Sequence, residues 1–202
     1  INDLRNHNKS IWLAQREGRA KDGNDRTQPG VLKMLTIDAP DFFEAIKHLN
    51  ICPVSISYEF DPCDYLKAQE MQLKRDIPHW HKTKADDIRS MATGIKGQKG
   101  RVIYRLTPSI NRELEQALQE HPELCELNRN EQIQFVCDLI DRHIHLGYEL
   151  FERGTDFDKY IESRIALVDI PNKDEIFLRE KLYEMYDNPR KNALAAQADK
   201  EQ

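Results

Sequence analysis

A short apolar run that ends in a cluster of charges constrains the fold of this chain more than any other stretch. The apolar residues Ile11 to Ala14 are followed at once by Arg16-Glu17-Gly18-Arg19, and a polar loop then leads to Pro29-Gly30, which opens a short apolar helix. This order predicts a strand, a charged loop and a helix. Proteins of the α/β class use that layout to hold an anionic ligand at the carboxyl end of a strand. Glycines at positions 18, 23 and 30 would let the backbone approach a bound group closely.

The loop collects four cations in one turn-rich segment, namely Arg16, Arg19, Lys21 and Arg26. Guanidinium groups match phosphate oxygens bidentately, so a phosphate is the ligand that these side chains favour. The alternative is a solvated surface loop in which the cations pair with the acidic residues that lie between them.

A resemblance to a known family adds to this interpretation. The segment Glu17-Gly18-Arg19-Ala20-Lys21-Asp22-Gly23, with the helix Gly30-Val31-Leu32-Lys33-Met34 after it, resembles the third conserved block of the glycerol-phosphate and lysophosphatidate acyltransferases. In that superfamily a strand ends in Glu-Gly-Thr-Arg or Glu-Gly-Gly-Arg, whereas here Arg follows Glu-Gly directly. The segment Ile51-Cys52-Pro53-Val54-Ser55-Ile56 is similar to the fourth block, an apolar strand with an internal proline. The two blocks span about the first third of the chain.

The resemblance implies an acyltransferase of phospholipid biosynthesis. The acyl group would pass from acyl-coenzyme A or acyl carrier protein, as co-substrate and with no other cofactor, to a hydroxyl of a glycerol-phosphate-type lipid acceptor. The family's catalytic His-x4-Asp block precedes the third block, so we expect it upstream of Ile1. On this interpretation the chain is the carboxyl-terminal part of a longer protein and is inactive by itself.

The substrate-binding residues implied by the resemblance all lie in the charged loop. They are Arg16, Glu17, Gly18, Arg19, Lys21 and Arg26. Arg19 is the first candidate for the acceptor phosphate, and the other three cations would support it. Glu17 is expected to fix the loop through hydrogen bonds and not to act as a base.

A second copy of the catalytic spacing occurs at His81-x4-Asp86. Because it follows the Glu-Gly-Arg block and does not precede it, we interpret it as a coincidence. His79, His81, Asp86 and Asp87 could also suggest a metal site, but Pro78 places the histidines in a loop, and no metal is predicted.

Periodicity predicts strands at 10–15, 51–58 and 101–106 with helices between them, and helices almost throughout from residue 109. The predicted fold class is therefore α/β, with a mainly parallel sheet, flanking helices and a helical carboxyl-terminal extension. The expected divisions are an α/β part at 1–108, a helical extension at 109–190 and a flexible tail at 191–202.

Charge and composition argue against some classes of function. The net charge of −5 is unfavourable for binding nucleic acid, so we predict no nucleic-acid partner. No run approaches the roughly 20 apolar residues of a membrane span, so any membrane contact would be peripheral. The expected location is cytoplasmic, at the inner face of the membrane if the acceptor is a lipid. The alternative function is a non-catalytic, phosphate-recognising module whose helical half binds a protein partner.

Overall fold

The structure is a computed structural model that describes residues 9–15 and 21–200. The described residues form eight α-helices, one 3-10 helix and two strands. In chain order the elements are α1 (Pro29–Leu35), α2 (Phe42–Leu49), β1 (Val54–Tyr58), α3 (Asp64–Asp76), α4 (Lys84–Lys96), β2 (Val102–Leu106), α5 (Asn111–Glu120), the 3-10 helix (Pro122–Glu126), α6 (Arg129–Leu146), α7 (Phe157–Ala166) and α8 (Glu175–Lys200).

The predicted mainly parallel α/β sheet is wrong. Strands β1 and β2 pair antiparallel, with Val54 opposite Leu106 and Tyr58 opposite Val102, and residues 9–15 form no strand. The only sheet among the described residues is therefore a two-stranded antiparallel one. The β-branched pattern predicted the positions of β1 and β2, but such a pattern carries no information on strand direction, which is decided by how the connecting segment returns.

Several helices begin at side chains that satisfy their free amide groups. Asp41 accepts a hydrogen bond from the Glu44 amide at the start of α2. Helix α4 begins with a capping box between Thr83 and Asp86, and α6 begins with one between Asn128 and Glu131. These caps fix where each helix starts, and so which residues each helix turns towards its neighbours.

Two apolar clusters form the core. The first joins α1, α2, α5 and α6, and includes Phe42, Ile46 and Val136. The second joins α3, α7 and α8 around Ala68, Ile161, Ile165, Leu178 and Leu182.

Helix α8 connects the two clusters. Its first half packs on the second cluster, and Ala193 in its last part is fully buried in the first. The helix passes through Pro189 and continues to Lys200, so it includes residues 191–200 of the segment for which a flexible tail is predicted. The amphipathic pattern alone did not indicate this, because small alanines rather than large apolar side chains make the contact.

A buried carboxylate ties the helices of the second cluster together. Asp64, at the start of α3, is fully buried and accepts hydrogen bonds from the Tyr160 and Tyr186 hydroxyls, each at 2.8 Å. The Arg164 Nε atom donates to the same carboxylate at 2.6 Å. Burial raises the pKa of Asp64, and the charge of Arg164 acts against that shift. One carboxylate thus links α3, α7 and α8.

We expect Asp64→Ala to lower the free energy of unfolding by about 3–5 kcal/mol, because it leaves the Arg164 guanidinium buried without its partner. Urea denaturation followed by circular dichroism measures this change. Asp38→Ala, at an exposed site, is the control and should change stability by less than about 0.5 kcal/mol. Equal effects of the two substitutions would contradict the role given to Asp64.

Candidate functional site

The charged loop of the sequence prediction is anchored on helix α6. Thr27 donates hydrogen bonds from its amide at 2.8 Å and from its hydroxyl at 2.6 Å, both to Oδ1 of the buried Asp141. The Asp25 carbonyl oxygen lies 3.1 Å from Nε2 of His145, and the Tyr148 hydroxyl donates to the Asp25 carboxylate at 3.2 Å. Burial is the main cause of the raised pKa of Tyr148, which therefore stays a neutral donor.

Helix α8 holds the other side of the loop. Asn188 donates to the Asp22 carbonyl oxygen at 2.7 Å, and Asn192 donates to Asn24 Oδ1 at 3.1 Å. Gly23 has a φ of +72°, and a Cβ atom at this position would lie 2.3 Å from the Met185 carbonyl oxygen. The backbone at 22–27 is thus fixed by two helices and does not resemble a freely solvated loop.

Of the predicted site residues, Arg16, Glu17, Gly18 and Arg19 lie outside the described residues. The two remaining cations, Lys21 and Arg26, do not contact the same group. The Lys21 ammonium group donates to the Glu70 carboxylate of α3, whereas Arg26 Nη1 lies 3.9 Å from Asp141 Oδ2 in α6. The Arg26 side chain is 58% exposed, so it can still reach a ligand.

Glu70 pairs with Lys21, although burial lowers the pKa of the Lys21 ammonium group. Burial acts to raise the pKa of Glu70, but hydrogen bonds from Lys21 and Lys74 outweigh it and leave the pKa below its ordinary value. Glu70 is therefore ionised at neutral pH and offsets the charge of Lys21. This geometry makes Lys21 an anchor between the loop and α3.

A large apolar cleft lies beside the loop, with a volume of about 1380 Å³. One wall is the extended segment 9–15, in which Trp12 is 70% exposed. Another wall is the face of β1 that carries Val54 and Ile56. Loop residues Gly23 and Thr27 also line the cleft, so a polar loop and apolar walls border one space.

Strand β1 turns its polar side chains inward and its apolar side chains towards the cleft. Ser57 is buried and accepts a hydrogen bond from the Glu149 amide at 2.9 Å. Ser55 is buried against Gly147, where a Cβ atom would lie 2.3 Å from the serine hydroxyl oxygen. Half-buried antiparallel strands normally place apolar residues inside. Because β1 has the opposite arrangement, its apolar side chains border the cleft.

One end of the cleft is aromatic. Phe60, Phe157, Tyr160 and Tyr186 line it, with Phe60 and Tyr160 ring centroids 4.7 Å apart. The hydroxyls of both tyrosines are bound to Asp64. The rings therefore present apolar edges and faces to the cleft while their polar atoms are satisfied elsewhere.

The histidines do not form the pairs that their spacing could suggest. Asp86 Oδ2 accepts hydrogen bonds from the Thr83 amide at 2.9 Å and hydroxyl at 2.7 Å, so this carboxylate caps α4. On α6, His143 Nε2 lies 2.7 Å from Glu113, whereas His145 faces the loop. Within the described part of the chain, no group of three or more His, Cys, Asp or Glu side chains could hold a metal ion.

Sequence reasoning missed the residues that anchor the loop. Asp141 and His145 are four residues apart and follow directly after Ile140 and Ile144 of the apolar stripe. A polar pair at this spacing, at the border of a buried helix face, is a signal of a polar contact across the core. The sequence thus indicated a polar contact at Asp141, but it could not identify the partner, Thr27, which lies 114 residues earlier.

Comparisons with known proteins supply no relative. A scan against protein-family models, a search of curated proteins and a search of solved structures each found no match. Among the described residues, none of the helices combines the length and the apolar character that crossing a bilayer requires.

We expect Gly23→Ala to displace the loop from α8, because the new Cβ atom meets the Met185 carbonyl and the positive φ is unfavourable for alanine. The expected loss of stability is about 1–3 kcal/mol. Hydrogen exchange at 21–28 should become faster.

Gly30→Ala is the matched control, since Gly30 is the second residue of α1 and has no atom within 4 Å of an added Cβ. It should leave the loop unchanged and stabilise the chain by up to about 1 kcal/mol. A Gly23→Ala loop that exchanges as slowly as the wild type would contradict the anchored arrangement.

Proposed function

We propose that this chain binds the acceptor in an acyltransferase of phospholipid biosynthesis. The reaction would transfer an acyl group from acyl-coenzyme A or acyl carrier protein to a hydroxyl of a glycerol-phosphate-type lipid. The location would be the cytoplasm, at the inner face of the membrane. The proposal comes from the family resemblance of the loop and of the strand that contains Pro53, and one structural observation supports it.

That observation is the shared border of the cleft and the loop. Gly23, Asp25 and Thr27 of the loop line the same space as Trp12 and Ile56. The cleft thus places polar loop residues at the border of apolar walls, which suits a ligand with a polar head and an acyl chain. The volume of about 1380 Å³ is large enough for such a ligand.

The proposed roles follow from charge and contacts. Arg19 would bind the acceptor phosphate, with Arg16 and Arg26 beside it, because guanidinium forks match phosphate oxygens. Lys21 would position the loop, since Glu70 already offsets its charge. Glu17 and Gly18 would shape the loop at the phosphate.

In the proposed reaction the acceptor hydroxyl oxygen attacks the thioester carbonyl carbon directly. The carbon–sulfur bond breaks and the donor leaves as a thiolate, and a histidine of the His-x4-Asp block expected upstream takes the proton of the hydroxyl and passes it to the thiolate sulfur. No covalent intermediate on the protein is required. The contribution of the present residues is to bind the phosphate and to orient the hydroxyl.

A second candidate is a non-catalytic module that recognises a phosphate-bearing ligand. Both candidates agree with the contacts of Asp86, which bonds to Thr83 and caps α4. The two candidates share the binding site and differ in turnover, so an assay of the reaction separates them.

Binding is tested by titrating lysophosphatidate into the chain by calorimetry. We expect Arg19→Ala to weaken binding by about 1.5–3 kcal/mol, the range for hydrogen bonds to charged groups, and Arg19→Lys to restore it only in part. Lys33→Ala removes an exposed cation from α1 and is the control. Equal affinity of the wild type and Arg19→Ala would contradict the assigned role.

Turnover is tested with protein expressed from the complete coding sequence, using acyl-coenzyme A and either glycerol 3-phosphate or lysophosphatidate as acceptor. Acylated product that depends on Arg19 supports the acyltransferase. Binding that depends on Arg19 without any product supports the second candidate.

A further inference from the structure

Helix α4 turns an apolar face towards solvent. Ile88, Met91 and Ile95 are 67%, 65% and 76% exposed, and none of the thirteen residues of the helix is buried. Their spacings of three and four residues put them on one side of the helix. Surface helices normally turn such a stripe towards the core, so this orientation needs an explanation.

The opposite side of α4 is fixed to the start of α3. The Cys63 thiol donates to the Ser90 carbonyl oxygen at 3.3 Å. A Cβ atom on Gly97 would lie 2.4 Å from Pro62 Cβ, so the end of the helix is in close contact with the same segment. These contacts involve small and polar groups. They hold the helix with its apolar stripe outward.

The segment around the helix is basic although the chain is acidic. Residues 81–101 contain six Lys or Arg and two Asp, a net charge of +4 within a chain of net charge −5. Both carboxylates have partners, since Asp86 caps the helix and Asp87 lies 3.1 Å from Lys82. Lys84, Arg89 and Lys96 on α4 are exposed. An apolar stripe flanked by cations complements an anionic lipid surface.

We propose that α4 docks the protein on an anionic phospholipid bilayer. The helix would lie in the plane of the interface, with the three apolar side chains among the acyl chains and the cations at the headgroups. A helix of thirteen residues is about 20 Å long, too short to span a bilayer. It offers three apolar side chains, whereas a stable protein interface buries about 1,000 Å² or more with matched shapes. A lipid surface has no such requirement.

This inference adds a membrane-binding element to the proposed location at the inner face of the membrane and does not depend on acyl transfer. Ile88→Asn with Ile95→Asn, which removes the apolar stripe and leaves the loop intact, should bind soluble lysophosphatidate like the wild type. The two proposals can therefore fail separately.

The test is sedimentation of the chain with vesicles of phosphatidylcholine alone or of phosphatidylcholine mixed with phosphatidylglycerol. We expect binding to the mixed vesicles. The double substitution Ile88→Asn with Ile95→Asn should weaken it about tenfold or more, since two large apolar side chains no longer leave water. Arg89→Gln with Lys96→Gln should weaken binding about fivefold for each charge removed.

The matched control is Ile37→Asn with Ile176→Asn. These isoleucines are 77% and 82% exposed but lie outside α4, so binding should persist. Circular dichroism checks that each variant is folded. Equal binding by the Ile88/Ile95 variant and the wild type, or no binding by the wild type, would overturn the proposal. Self-association without lipid that the Ile88/Ile95 variant abolishes would instead assign the stripe to a second copy of the chain.

Discussion

The buried carboxylate of Asp141 is the constraint on which the position of the charged loop depends. A carboxyl group buried inside a protein is costly unless hydrogen bonds and opposite charge compensate it. Thr27 supplies two hydrogen bonds, and Arg26 supplies a charge at 3.9 Å. The compensation requires the loop to lie on α6, so the position of the loop depends on the fold of this helix. Arg26 therefore has a structural role, because its charge compensates Asp141. For this reason we propose Arg19, and not Arg26, as the main contact of a bound phosphate.

The reversed polarity of β1 has a related physical basis. Its buried serines meet the backbone at the end of α6, where the Glu149 amide needs an acceptor and Gly147 leaves no space for a larger side chain. Serine is small enough for this contact and can accept the hydrogen bond, so the polar side of the strand faces the helices. Val54 and Ile56 must then face the cleft. The apolar wall of the cleft is thus a consequence of how the strand packs on the helices.

Local patterns in the sequence predicted the helices well and the sheet poorly. Helix α2 carries Phe42, Phe43 and Ile46 on one face, an apolar periodicity that predicts a helix between the second predicted strand and the charged loop. The positions of β1 and β2 were also predicted. Their antiparallel pairing was not, because direction depends on contacts between distant segments. The residues that anchor the loop, such as Asn188 and Asp141, were not predicted for the same reason. Each lies more than 100 residues from the atom to which it bonds.

Helix α4, which carries the outward-facing apolar stripe, also borders the cleft. Gly94 in α4 and Lys99 just after it line the cleft, so the carboxyl end of α4 borders the space that β1 and segment 9–15 enclose. Lys99 also donates to the Ile95 and Gly97 carbonyl oxygens, which keeps its charge at this end of the helix. A bilayer docked on the Ile88–Ile95 stripe would therefore lie beside the cleft. A lipid-like ligand that leaves the bilayer at this end of the helix would have a short distance to the cleft, which would reduce the exposure of its acyl chain to water on the way.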